Sequence, residues 1–77
     1  MENREMISIA SKLCYRYTDV MALTGFGKSA AYEIMRQCRE TYDGAIPMRP
    51  DAITAKSLMD YFKTTKEEYI RGLKAAE

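Results

Sequence analysis

Residues 17–35 read YTDVMALTGFGKSAAYEIM, and the fold turns on the glycine near their centre. Counting from Gly25, Val20 stands five residues earlier, Leu23 two earlier, Phe26 one later, Ala31 six later and Ile34 nine later. Two helices that cross steeply need a tight turn, a small residue where their backbones approach, and apolar side chains to bury at the crossing. The stretch therefore predicts a helix-turn-helix. Thr18 offers a side-chain oxygen as N-cap, Asp19 places a negative charge in the first turn where the helix dipole favours it, and Val20–Thr24 form the short first helix. Gly25 closes that helix in the left-handed conformation, and Phe26 is expected to drop its ring into the core.

The next helix starts near Gly27 or Ser29 and runs from Lys28 to about Tyr42. Ala31, Ile34, Met35, Cys38 and Tyr42 share its inner face. Ser29, Glu33, Arg36, Gln37 and Glu40 lie opposite, with Tyr32 and Arg39 on one flank. One face suits a core and the other a partner. Asp43-Gly44 ends the helix, and the segment from Ala45 to Ile53 holds two prolines, a Pro50-Asp51 turn and short extended pieces, which predicts a minimal hairpin or wing.

Upstream, Met6, Ile9, Ala10, Leu13, Cys14 and Tyr17 recur at helical spacing, so Glu2–Tyr17 reads as an amphipathic first helix. Downstream, Thr54 is placed to cap a helix to about Lys63 that turns Ala55, Leu58, Met59 and Phe62 inward. Thr65-Lys66-Glu67-Glu68 has the form of a capping box opening a last helix, docked by Tyr69, Ile70 and Leu73. The expected fold is mostly α: a helix-turn-helix with a minimal β-hairpin wing and two C-terminal helices.

The chain has 77 residues, 47% of them hydrophobic, which supports one domain over residues 1–77. A core of this size is marginal, so a partner protein or a second copy would add stability. No apolar run approaches the roughly 20 residues that span a bilayer, and Met1 to Arg4 does not lead into a signal peptide's apolar stretch. The expectation is a cytoplasmic protein with no membrane contact. Cys14 and Cys38 form no CxxC pair or zinc-ligand cluster and read as small core residues, and no metal or other cofactor is expected.

There is no histidine, which removes the commonest general base and metal ligand. GxGxxG, GxxxxGK[ST] and GxSxG motifs are missing as well. Gly25-Phe26-Gly27-Lys28-Ser29 looks superficially like a phosphate loop but lacks the Walker spacing and a preceding apolar strand. No catalytic residue is assigned, and an enzyme is not expected. Twelve basic and eleven acidic residues leave a net charge of +1, weaker than many DNA-binding domains carry. Only residues 28–50 lean positive, with four basic and three acidic side chains.

The stretch from Tyr17 to Met35 resembles the helix-turn-helix of phage and transposon excisionases and related small regulators. There a leucine-x-glycine-hydrophobic turn precedes a helix with a tyrosine near its start, here Leu23, Gly25, Phe26 and Tyr32. Ile53-Thr54-Ala55-Lys56 leading into Leu58-Met59-Asp60-Tyr61-Phe62 is similar to that family's last wing strand and its tyrosine-containing helix. Met21, Gly27 and Glu33 depart from it, standing where alanine, serine and arginine are usual. The resemblance implies a double-stranded DNA-binding architectural or regulatory factor of a phage or mobile element, active in DNA recombination or transcription. A recombinase or the transcription machinery would be its partner, with cooperative or homo-oligomeric assembly on DNA.

The early outward part of the second helix of such a motif enters the major groove. Lys28, Ser29, Tyr32, Glu33 and Arg36 are therefore the base-contact candidates. Arg36 suits a bidentate contact to guanine, Glu33 can accept from cytosine N4, and Lys28 or Ser29 suits a phosphate near the helix N-terminus. Arg39, Arg49 and Lys56 are backbone-contact candidates. The competing reading of the same face is a solvated surface with a Glu33–Arg36 pair. The competing function is a protein-interaction adaptor or anti-host module that grips another protein through Tyr32, Glu33 and Arg36. Met6, Met21, Met35 and Met59 read as core filler. The rings of Tyr15, Tyr17, Tyr61 and Tyr69 suit packing, with hydroxyls left for water or a phosphate.

Overall fold

The apolar spacing of the first segment outlasts its helix. The computed structural model describes residues 3–76, and in it α1 covers only Asn3–Ala10. Ser11 turns its hydroxyl back onto the Ile7 carbonyl at 2.8 Å, competing with the helical ladder. The carbonyls of Ser11 and Lys12 then point at the Lys66 ammonium, at 2.9 and 2.7 Å. The chain extends into β1, Cys14–Arg16, whose alternation buries Tyr15 and turns Arg16 to solvent. This corrects the expected helix over Glu2–Tyr17, whose start at Glu2 lies outside the described residues. Leu13, expected inward, is 87% exposed, and Cys14 is half-buried in a strand. The physical reason is Tyr15: its ring occupies the centre of the core and its hydroxyl donates to the Ala10 carbonyl at 2.7 Å. A continued helix could not make that bond.

α2 covers Tyr17–Thr24. The Thr18 cap is also corrected, because the helix begins one residue before it and Asp19 closes the N-terminus instead. The Asp19 carboxylate accepts the Arg16 N–H at 3.1 Å and meets the Lys12 ammonium at 3.0 Å. Gly25 ends α2 at φ +78°, its N–H donating to the Met21 carbonyl at 2.9 Å, a conformation glycine adopts without steric penalty. α3 follows at once, Lys28–Thr41, with Gly27 as N-cap. Ala31, Ile34, Met35 and Cys38 are buried as the spacing predicts, and Tyr42 stands half-buried just past the end. Phe26 does not enter the core: its ring lies at the surface, 49% exposed, because Val20, Leu23 and Ala31 already fill the α2–α3 crossing.

Asp43 at φ +56° turns the chain, and Gly44 N–H returns to the Cys38 carbonyl at 2.9 Å. The wing then folds back on itself, joined by the antiparallel bridge between Ala45 and Ile53 and by Thr54 N–H to the Gly44 carbonyl at 3.0 Å. Its tip has two turns. Arg49 N–H bonds the Ile46 carbonyl across Pro47-Met48, and Ala52 N–H bonds the Arg49 carbonyl across Pro50-Asp51. β2, Ala52–Thr54, pairs on its other edge with β1, matching Tyr15 to Ile53 and Arg16 to Ala52. The wing is thus clamped to the N-terminal segment.

The Thr54 hydroxyl caps α4, Ala55–Tyr61, by accepting Ser57 N–H at 3.2 Å. α4 buries Ala55, Leu58 and Met59 but stops at Tyr61, short of Lys63, where the backbone reaches φ +57°. Phe62, expected inward, is 43% exposed, since the chain has already turned away. α5, Lys66–Ala75, is capped by Thr65 accepting Glu68 N–H at 3.1 Å, while the Glu68 carboxylate takes the Thr64 hydroxyl rather than completing the box. α5 lies along α1, with Tyr69, Ile70 and the Asn3–Leu73 hydrogen bond holding it. The architecture is mostly α-helical: a helix-turn-helix, a minimal β wing and two C-terminal helices around one cluster of buried side chains. None of the described helices is long and apolar enough to cross a membrane.

Candidate nucleic-acid interface

The steep α2–α3 corner leaves the start of α3 outward, and the side chains there are not loose. Tyr17, at the head of α2, stacks on Tyr32 of α3 with ring centroids 5.1 Å apart and planes 24° from parallel. The Lys28 ammonium lies 5.4 Å from the Tyr17 centroid and 6.0 Å from that of Tyr32, within reach of both ring quadrupoles. Ser29 is exposed beside them. The result is an exposed positive charge lying against two stacked phenol rings, and Lys28 forms no carboxylate ion pair among the described residues.

The next turn of α3 is arranged differently. The Arg36 guanidinium donates from Nε to Glu33 at 3.1 Å and from Nη1 to Glu40 at 2.7 Å, and its Nη2 also bonds Glu33. Gln37 adds a bond to Glu33 at 3.3 Å. The hydrogen bonds from Arg36, and then from Gln37, lower the Glu33 carboxyl from its ordinary value, and the bond to Glu33 raises the guanidinium in return. All three charges face solvent, so water and salt screen the pairs and they add little to the fold. Arg36 therefore starts with three of its five N–H donors engaged, and a bidentate guanine contact would give up part of this pairing.

Arg49 and Arg16 share one carboxylate at the base of the wing: Asp51 lies 3.2 Å from Arg16 and 3.7 Å from Arg49. Arg16 and Tyr17 are consecutive, so the wing cluster and the Lys28 cluster meet across one peptide bond. Sequence reasoning misses Arg16, and offers the Tyr17 hydroxyl to water or a phosphate without joining it to Lys28 and Tyr32, because it places both residues on the end of the first helix. The only available signal was the three-residue alternation of Cys14, Tyr15 and Arg16, too short to compete with a helical period. Arg39 is half-buried on the flank of α3. Lys56 faces solvent on α4 and pairs with Asp60 at 3.6 Å, and among the described residues no hydrogen bond or ion pair ties Arg39 or Lys56 to the two clusters.

A second surface lies behind the turn. Leu23, Phe26, Leu58, Met59, Phe62 and Tyr69 line a cleft of about 280 Å³, and the Tyr69 hydroxyl donates to the Leu23 carbonyl at 2.8 Å. Cys14 and Cys38 are free thiols, and burial pushes the Cys38 thiol up. Among the described residues no group of three or more potential ligands is gathered for a metal ion. Compared with known proteins, the chain matches no protein-family model, no curated sequence and no solved structure.

Proposed function

We propose that this chain is a non-catalytic, cytoplasmic protein that binds double-stranded DNA in a sequence-directed way, with the start of α3 in the major groove. Its role is that of an excisionase-type architectural factor or a small regulator of a phage or mobile element. The observation that carries the reading is the Lys28 ammonium held over the Tyr17–Tyr32 stack, outward at the head of a helix-turn-helix recognition helix. An ammonium and two phenol hydroxyls suit phosphate oxygens, which fix a protein's register on the duplex. Ser29, Glu33 and Arg36 follow on the same helix as base-edge candidates, with Arg49, Arg39 and Lys56 as backbone contacts. A recombinase or the transcription machinery would be the protein partner, and a second copy would add cooperativity.

A protein-interaction adaptor is the second reading. Phe26 and Phe62, both partly exposed beside an apolar cleft, favour it, as does the self-paired Arg36. Salt dependence separates the two, because phosphate contacts release counterions and an apolar interface does not. The experiment is fluorescence anisotropy of labelled duplexes, from the chain's own upstream region and scrambled, at two salt concentrations. Lys28→Ala is expected to weaken binding to both duplexes alike and to lower the salt slope by about one unit. Arg36→Ala is expected to lose about 1–3 kcal/mol on the preferred duplex alone. No binding at low salt would remove the DNA reading.

A further inference from the structure

Met48 sits at the outer turn of the wing with 96% of its surface exposed, the most exposed large apolar side chain described. It contributes nothing to the core. Its backbone has φ +68°, in the left-handed region that L side chains rarely adopt. Folding alone would favour glycine or asparagine there. The stalk beneath it is stiff. Pro47 and Pro50 fix φ on either side of Met48 and Arg49, and Arg49 N–H closes the turn on the Ile46 carbonyl at 3.0 Å. The Ala45–Ile53 bridge closes the base, and Asp51, held by Arg49 at 3.7 Å and Arg16 at 3.2 Å, braces the wing to β1.

We propose that Met48 is a wedge that enters the minor groove of duplex DNA and separates a base step, with Arg49 and Arg16 on the flanking phosphates. The proposal rests on the DNA-binding reading above and adds a second groove and a distortion of the duplex to it. An unbranched thioether is thin enough for a groove about 6 Å wide. Methionine is among the apolar side chains that unstack base steps in this way. Two guanidinium groups sharing one carboxylate leave the tip's surroundings positive, which suits phosphates better than an apolar pocket on a protein. Through Arg16 and Tyr17 this cluster is continuous with the one at the start of α3, so one duplex can meet both.

The test uses the full chain and a duplex of about 30 base pairs with a central TpA step, the kind most easily unstacked. One strand carries 2-aminopurine at that step, and the two ends carry a fluorescence-transfer pair. Wild type should bind at low salt, raise the 2-aminopurine emission and shorten the end-to-end distance. Met48→Gly relieves the backbone, so its thermal stability should equal or exceed that of wild type. It should still bind, yet lose the emission rise and the shortening. Arg49→Gln should weaken binding and reduce the salt dependence. If Met48→Gly unstacks and bends the duplex as wild type does, or wild type binds without either signal, the wedge is wrong while the DNA reading stands. If wild type does not bind the duplex at low salt, the DNA reading fails and the wedge falls with it.

Discussion

Two seams of this small domain are built to different tolerances. Where the end of α3 meets the wing and α4, Gly44 presses its backbone against Ser57. The Ser57 hydroxyl donates to the Thr54 carbonyl at 2.7 Å, and the Cys38 thiol points at the Ser57 carbonyl at 3.7 Å. Where the helix-turn-helix corner meets the α4–α5 turn, Phe26 and Phe62 stand half in water beside an open cleft. The first seam sets the angle between α3 and the wing, and close packing leaves no slack there. The second leaves apolar surface unsatisfied, so folding does not dictate its side chains. Residues at the first seam report on the fold, and residues at the second are free to report on something else.

The sharpest way to probe that contrast is Gly44→Ala. Its methyl carbon would lie 2.7 Å from Ser57 Cβ and 3.1 Å from the Cys38 carbonyl oxygen, so backbone must move. We expect a loss of about 3 kcal/mol, read as a fall in Tm of more than about 10 °C in a domain this small. A loss below about 1 kcal/mol would mean that this seam is as slack as the cleft.

Tyr15 gives the next largest effect, through pH. Burial first, then the nearby Tyr69 and Asp19, pushes its phenol up to about 12 from the ordinary 10.0. Below pH 10 both folded and unfolded chains keep the proton, and the stabilisation is fully present. Above pH 10 the unfolded chain releases its proton first, so stability falls as pH rises towards 12, by up to about 1.4 kcal/mol per pH unit. Denaturant melts across that range should show the decline. Tyr15→Phe should cost about 1–2 kcal/mol at neutral pH, by deleting the bond to Ala10, and should flatten most of the slope. Tyr69, also raised by burial, would leave the remainder. An unchanged slope in Tyr15→Phe would show that the ring is less enclosed than its neighbours imply.

The sequence was most legible where one local rule acted alone. Gly25 stops α2, the i, i+3, i+4, i+7 spacing buries Ala31, Ile34, Met35 and Cys38, and Thr54 and Thr65 cap the helices that follow. Each depends on residues within a turn or two of one another. It misled where a distant partner decided. Ile53 pairs with Tyr15 across 38 positions of chain, and that pairing, invisible to periodicity, converts the end of the expected first helix into a strand. The candidate site followed the same division. Lys28 and Tyr32 were legible from their place on α3, whereas Arg16 and Tyr17 join the site only because β1 exists. The Asp51 link to both Arg49 and Arg16 likewise needs the sheet to bring Arg16 beside the wing.

The smallest expected effect is at the open seam. Phe26 and Phe62 each keep nearly half their surface in water, so replacing either by serine removes only part of a phenylalanine's burial, about 1 kcal/mol. Leu58→Ala, in the wall of the same cleft but almost fully buried, should lose about 2–5 kcal/mol. On the DNA-binding proposal, the two phenylalanine variants should also bind duplex DNA as strongly as wild type, since their rings line the cleft and not the cluster of Lys28, Tyr17 and Tyr32. Chemical denaturation and anisotropy on the same preparations measure both quantities. A Phe62→Ser loss as large as that of Leu58→Ala would mean the cleft is closed in solution, and the contrast between the seams would vanish. Full stability with weakened DNA binding would instead bring the cleft into the interface, and the recognition surface would have to be extended around the turn.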